Sequence, residues 1–170
     1  MLPAMGRRRM SKYLSGDKAY NFLLDRNVEH LESLFFPRGR AKTATKERLP
    51  PSASDRDIVE QAWLRQSTIV TADIKDFRPA MVKFQRQQGR RPCGCLFGLI
   101  VLPNVYETQK RLLKNRLNDL QARLPSVDGT KPTWSRVHSR NYMVRVKKSG
   151  NPHVTKLGLC PDCDPDIETD

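Results

Sequence analysis

Three short apolar runs, two of them leading straight into acids, limit this chain to a small set of folds. Asn21-Phe22-Leu23-Leu24 ends in Asp25. Thr68-Ile69-Val70-Thr71 runs into Ala72-Asp73-Ile74-Lys75-Asp76-Phe77, and Leu96 to Leu102 (LFGLIVL) is stopped by Pro103. Aliphatic and β-branched runs without polar alternation suit strands buried on both faces, as in parallel sheets. Helical patterns lie between them. Residues 27–36 space Val28, Leu31, Leu34 and Phe35 along one helical face, and Pro37 and Gly39 end that helix. Ser54 is a good N-cap, and Asp57 completes a capping box with Asp in place of Glu. Ile58, Val59, Ala62 and Trp63 supply the apolar face of the helix that follows.

The segment 38–53 reads as basic and irregular, and 79–92 as a basic helix and loop. Residues 105–124 read as one long amphipathic helix with Leu113, Leu117, Leu120 and Leu124 on a single face. That face either closes the core or forms an interface with a second copy or another protein. Tyr142–Val146 and His153–Leu157 alternate around the turn at Ser149-Gly150-Asn151-Pro152, the pattern of a β-hairpin. The expected fold is α/β, with a mainly parallel central sheet flanked by helices and a C-terminal hairpin. The expected organisation is a partly disordered basic lead-in over 1–19, a main domain over 20–125, a hairpin extension over 126–159 and an acidic tail over 160–170.

Charge narrows the function classes. The chain carries a net charge of +13 over 170 residues. A basic excess of that size favours a polyanionic partner, because Lys and Arg displace counterions from phosphates. No run approaches the roughly 18 apolar residues of a membrane span, and the basic N-terminus lacks an apolar h-region. A cytoplasmic protein with no membrane partner is expected. The four cysteines fall as Cys93-x-Cys95 and Cys160-x-x-Cys163. Without a secretory signal they read as reduced thiols or as the four thiolates of a structural Zn²⁺ site.

The acids carry the chemistry. In an open parallel sheet, ligands bind outside the carboxyl ends of the strands. Asp25, Asp73 and Asp76 fall there, and Asp55 opens the helix leading into the second strand. Carboxylates gathered together repel unless neutralised, and a cage of them suits a hard cation such as Mg²⁺ or Mn²⁺. Bland readings stand beside this one. Asp57 serves as a helix cap, Asp55 complements a helix dipole, and Asp73 and Asp76 close a turn. Asp25 directly after a buried strand needs a partner in any case. Arg38, Arg40, Lys42, Lys46 and Arg48, with Lys83, Arg86, Arg90 and Arg91, are the candidates for holding an RNA backbone. Trp134, His138, Arg140 and Tyr142 form either a basic-aromatic patch or ordinary packing.

LLDRNV (23–28), SDRDIVEQA (54–62) and IVTADIKDF (69–77) together resemble the signature of PIN-like domains, in particular the short branch found beside toxin–antitoxin genes. LFGLIVL (96–102) fits that branch's strand after the Asp-Phe motif, and the resemblance covers roughly 20–125. It implies a three-layer PIN-like fold and a Mg²⁺- or Mn²⁺-dependent ribonuclease, the toxin of a toxin–antitoxin pair, with RNA as substrate and an antitoxin or a second copy as partner. By motif position, Asp25, Asp55, Asp73 and Asp76 take the acidic roles. Asn27 holds the first loop, Thr71 orients the cage, and Glu47 and Asp57 are lesser metal candidates. The chain departs from the pattern at Arg26, where many relatives carry an acid. PIN-like domains that only bind RNA or a protein partner also exist, and a catalytically silent module is the alternative.

Overall fold

The computed structural model describes residues 21–35, 41–65, 67–87, 98–114, 117–139 and 142–157. The basic lead-in, the acidic tail, all four cysteines, and Arg38, Arg40, Arg90 and Arg91 lie outside the described residues, as does the side chain of Arg86.

Six strands make one sheet: β1 (Asn21–Leu24), β2 (Ala41–Thr43), β3 (Ser67–Thr71), β4 (Leu99–Val101), β5 (Tyr142–Val146) and β6 (Pro152–Lys156). Their order is β2-β1-β3-β4-β5-β6, and every pairing is parallel except the β5–β6 hairpin. The chain is α/β with helices on both faces of a mostly parallel sheet. The hairpin continues that sheet, because β5 pairs directly with β4.

The strand period of two sorts the core into two halves. Leu23, Ile69, Leu99 and Val101 face α1 (Asp55–Arg65) and α2 (Ile74–Gln87), packing with Ile58, Val59, Phe77, Met81 and Phe84. Phe22, Leu24, Val70, Ile100 and Val144 face the opposite way. They pack with Val28 and Leu31 from a 3₁₀ helix over Arg26–Phe35, with Leu120 from α4 (Leu117–Ala122), and with Trp134 and Val137 from α5 (Trp134–Ser139). A further helix, α3 (Tyr106–Lys114), lies against the 3₁₀ helix.

Ser54 and Asp57 form the expected capping box. The Ser54 N–H and hydroxyl donate to Asp57 Oδ2 at 2.8 and 2.9 Å, and the Asp57 N–H donates back to Ser54 Oγ at 3.3 Å. Two expectations need correction. The segment 38–53 is not wholly irregular, since Ala41 and Thr43 are buried in an edge strand while Lys42 points to solvent. The basic helix begins at Ile74 rather than 79, because Asp73 Oδ1 accepts the Lys75 N–H at 3.2 Å and caps it. Within 105–124, helix is described over Tyr106–Lys114 and Leu117–Ala122, and the Leu120 and Leu124 end of the leucine face is core. Of the two readings of Trp134, His138 and Tyr142, packing holds, since all three are buried and Trp134 lies edge-on to Phe22 at 6.0 Å. No helix among the described residues is long and apolar enough to cross a membrane.

One polar knot crosses this core. The Gly98 N–H donates to Thr68 Oγ1 at 3.3 Å, and the same oxygen shares a hydrogen bond with His138 Nδ1 at 3.2 Å. Burial pushes the His138 imidazole down to about 4. A base with a depressed folded pKa favours the fold while neutral, and that advantage is lost as pH falls from its ordinary value of 6.5 toward 4. Urea midpoints of the wild type should therefore decline across that window, and His138→Gln should flatten the decline. Gly98 has no room for a side chain, since a Cβ there would lie 2.8 Å from the Val137 carbonyl oxygen. Gly98→Ala should cost about 1–3 kcal/mol in the same denaturation experiment.

Candidate active site

The strand order reverses at β1. The chain leaves β1 for β2 on one side and returns to β3 on the other. In open α/β sheets the crevice at such a switch point is where ligands bind. Asp25 follows β1 and Asp73 follows β3, so the topology brings the first and second acidic motifs to one place.

Asp25 is only 7% exposed, which is unusual for a carboxyl group. Both of its oxygens are engaged. Oδ1 accepts the Arg26 N–H at 2.7 Å, and Oδ2 accepts the Thr71 hydroxyl at 3.0 Å. Thr71 Oγ1 in turn accepts the Asp73 N–H at 3.0 Å. One hydroxyl thus ties the carboxylate after β1 to the backbone after β3. Asn27 holds the same turn from the other side, its Oδ1 accepting the Ala72 N–H at 3.3 Å. Both supporting residues expected from the sequence lie where the acids meet.

The acids act on one another. Burial raises the Asp25 carboxyl above its ordinary value, the Arg26 and Thr71 hydrogen bonds pull it back, and the charges of Asp73 and Glu29 push it further up. Partial burial, then the charges of Asp25 and Asp73, raise Asp55. A hydrogen bond to the Asp73 carboxyl, then that group's charge, raise Asp76, with a smaller push from Asp55. Asp25, Asp55, Asp73 and Asp76 therefore share one electrostatic field.

Two lesser candidates stand elsewhere. Glu47 is nearly buried in its own cluster, with Lys42 at 3.5 Å, Arg65 at 3.3 Å and Gln61 Nε2 at 2.9 Å. Asp57 is occupied by its cap, which holds its carboxyl below the ordinary value. Arg26 does not fill the acidic site. Its guanidinium donates to the carbonyls of Leu49 and Pro50 at 2.6 Å each and to Thr45 Oγ1 at 3.3 Å. Of the basic candidates, Lys42 is paired with Glu47 and Lys46 with Glu32 at 2.5 Å, while Arg48 and Lys83 are exposed.

The donor set is all carboxylate oxygen, the chemistry of a hard divalent cation, and its mutual repulsion is what such a charge relieves. Among the described residues, however, no three His, Cys, Asp or Glu side chains are gathered as a ready-made metal cage. Asp55 is half-buried and Asp76 is exposed, so both have room to turn.

The sequence reading missed a cleft on the same edge. It has a volume of about 620 Å³ and is bounded by Ala72, the loop after β4 and the base of the β5–β6 hairpin, with Arg145, Lys147 and Lys148 in its walls. Strand alternation in the hairpin was the one signal available, and it does not say which edge these residues meet.

No protein-family model matches the chain, and no curated protein or solved structure matches it.

Acids with raised folded pKa values favour the fold when protonated, so their contribution falls as pH rises through the carboxylate range. At pH 7 the repulsion is complete. Asp73→Asn keeps the acceptor for the Lys75 N–H and removes a charge. Without metal it should raise the melting midpoint by a few degrees at pH 7, with the gain shrinking toward pH 4. An unchanged midpoint at pH 7 would show that Asp73 does not strain the site.

Proposed function

We propose that this chain is a metal-dependent ribonuclease of the PIN-like kind. The observation that carries the reading is the convergence of Asp25, Asp73 and their mutually raised neighbours Asp55 and Asp76 on the switch point of a parallel sheet. The net charge of +13 adds support, because a phosphodiester substrate needs cations to hold it and acids only where a metal is to sit.

In this reading Asp25, Asp55, Asp73 and Asp76 hold Mg²⁺ or Mn²⁺. The bound ion supplies a Lewis acid that makes water a nucleophile near neutral pH and steadies charge on the phosphoryl oxygens. The chain's own work is positional. Thr71 fixes the rotamer of Asp25 and the entry of Asp73 together. Asn27 pins the turn between them. Arg26 clamps the loop that leads to Asp55 and leaves the pocket its negative charge. Asp76 stands beside Asp73 and adds its carboxylate to the same field.

A second reading, a silent RNA-binding module, draws on the spread of the carboxylates, which do not form a ready-made cage among the described residues. Metal linkage separates the two. A cation at about 100 times its dissociation constant stabilises the fold by about 2.7 kcal/mol. Mn²⁺ should raise the melting midpoint of the wild type and not that of Asp25→Asn. Purified protein should cut a mixed single-stranded RNA pool with Mn²⁺ and not with EDTA. Asp73→Asn and Asp25→Asn should each lower the rate by at least about 100-fold, beyond the loss that supporting residues alone cause. Cleavage that persists in both variants would end the assignment of Asp25 and Asp73 as the catalytic acids.

A further inference from the structure

Register across the sheet locates the cleft relative to the acids. Thr71 pairs with Val101, and Val101 pairs with Arg145, so the three lie side by side at the carboxyl ends of β3, β4 and β5. Residues in register share a face of the sheet, which puts Arg145 on the same side as Thr71. Two strand spacings separate them, roughly 10 Å. Arg145 also pairs with His153 on β6, and Lys147 and Lys148 follow at the hairpin turn. The turn is fixed in place. The Lys147 N–H donates to the Asn151 carbonyl at 2.9 Å, and the Thr108 hydroxyl donates to the Lys148 carbonyl at 2.8 Å. These lysines are thus carried on a braced turn docked against the start of α3.

Charge at the cleft is unspent. Arg145, Lys147 and Lys148 are exposed, and among the described residues none of them pairs with a carboxylate. Lys42 and Lys46, which a count of basic runs favours, are both already in ion pairs. The cleft floor is apolar, with Val101, Leu102, Pro103 and Val105, and Ala72 closes its acidic end beside Asp73. An apolar floor with a cationic wall suits a chain that alternates sugars and bases with phosphates.

We propose that this cleft binds the phosphodiester backbone of single-stranded nucleic acid through Arg145, Lys147 and Lys148. The direction of the cleft then leads the strand toward the acids. Binding at the cleft needs no metal and no cleavage, and only the delivery of a strand to Asp73 rests on the nuclease reading.

The test is a titration of a fluorescein-labelled 12-nucleotide oligouridylate in EDTA over a series of salt concentrations, with the oligothymidylate of the same length alongside. Arg145→Ala/Lys147→Ala/Lys148→Ala should weaken binding at least 10-fold. It should also flatten the dependence of log K on log salt by about 2, since each single-strand phosphate contact contributes about 0.7. Arg78→Ala/Arg123→Ala/Lys131→Ala removes equal charge from exposed positions outside the cleft and should change affinity less than about 3-fold. Lys147→Gln/Lys148→Gln serves as the milder variant, and circular dichroism checks that each protein is folded. Equal losses in the two triple variants would reduce the effect to bulk charge and overturn the cleft, as would unchanged binding in the cleft variant. Similar losses for both oligomers support contacts to phosphate. A loss with neither oligomer ends the proposal. Asp73→Asn should bind undiminished in EDTA, and failure of the wild type to cleave in Mn²⁺ with cleft-dependent binding intact would remove the nuclease reading and leave this one standing.

Discussion

A carboxylate almost closed off from water has to find its donors in the fold, and Asp25 finds them at the seam where the strand order reverses. Its own turn supplies one N–H, and the Thr71 hydroxyl supplies the other bond from the neighbouring strand. That hydroxyl also receives the Asp73 N–H, so a single oxygen sets the spacing of two acids. Lost donors at a buried ion cost about 1–3 kcal/mol or more each. The pairing of β1 with β3, the turn held by Asn27 and the cap that begins α2 all meet at this point, and each depends on the others keeping register.

Around the seam, charge is segregated along one edge of the sheet. Acids collect where β1 and β3 end, and unpaired cations collect where β5 turns into β6. Elsewhere Lys46 and Lys42 are tied to Glu32 and Glu47. The loop between β2 and α1 is held by Arg26 through two main-chain carbonyls, which is how a basic residue sits next to Asp25 without neutralising it. The net positive charge of the chain is thus not one smooth field. Among the described residues, cations gather at the cleft and acids at the ends of β1 and β3.

Much of this was legible in the chain. The strands β1 and β3 are short aliphatic or β-branched runs with nothing else to be, and the Ser54–Asp57 box marks its helix by chemistry alone. Asp25, Asp55 and Asp73 followed from their places at element ends. The misses share a cause. β2 is three residues long with a lysine in its middle, too short for a period to register. Asp73 was weighed as a ligand or a turn residue, while its oxygen also caps the helix that starts one residue later. Trp134, His138 and Tyr142 read as either patch or packing until Phe22 and Thr68, far away in sequence, are brought against them and packing holds. The basic residues of the cleft are scattered, and only strand register gathers them, whereas the basic runs that attract the eye are partly spent on local ion pairs.

The long separation within that seam bears on how the protein comes into being. Asp25 and Thr71 are 46 positions apart, and β1 has no inner neighbour until β3 has been made and folded against it. Non-local parallel pairing of this sort is slow to form, because loop closure precedes any reward from contact. A chain still emerging during synthesis, or one opened at this seam, has its acids apart. The assembled pocket is therefore a property of the finished sheet alone, and maturation of the chain is itself the step that creates it.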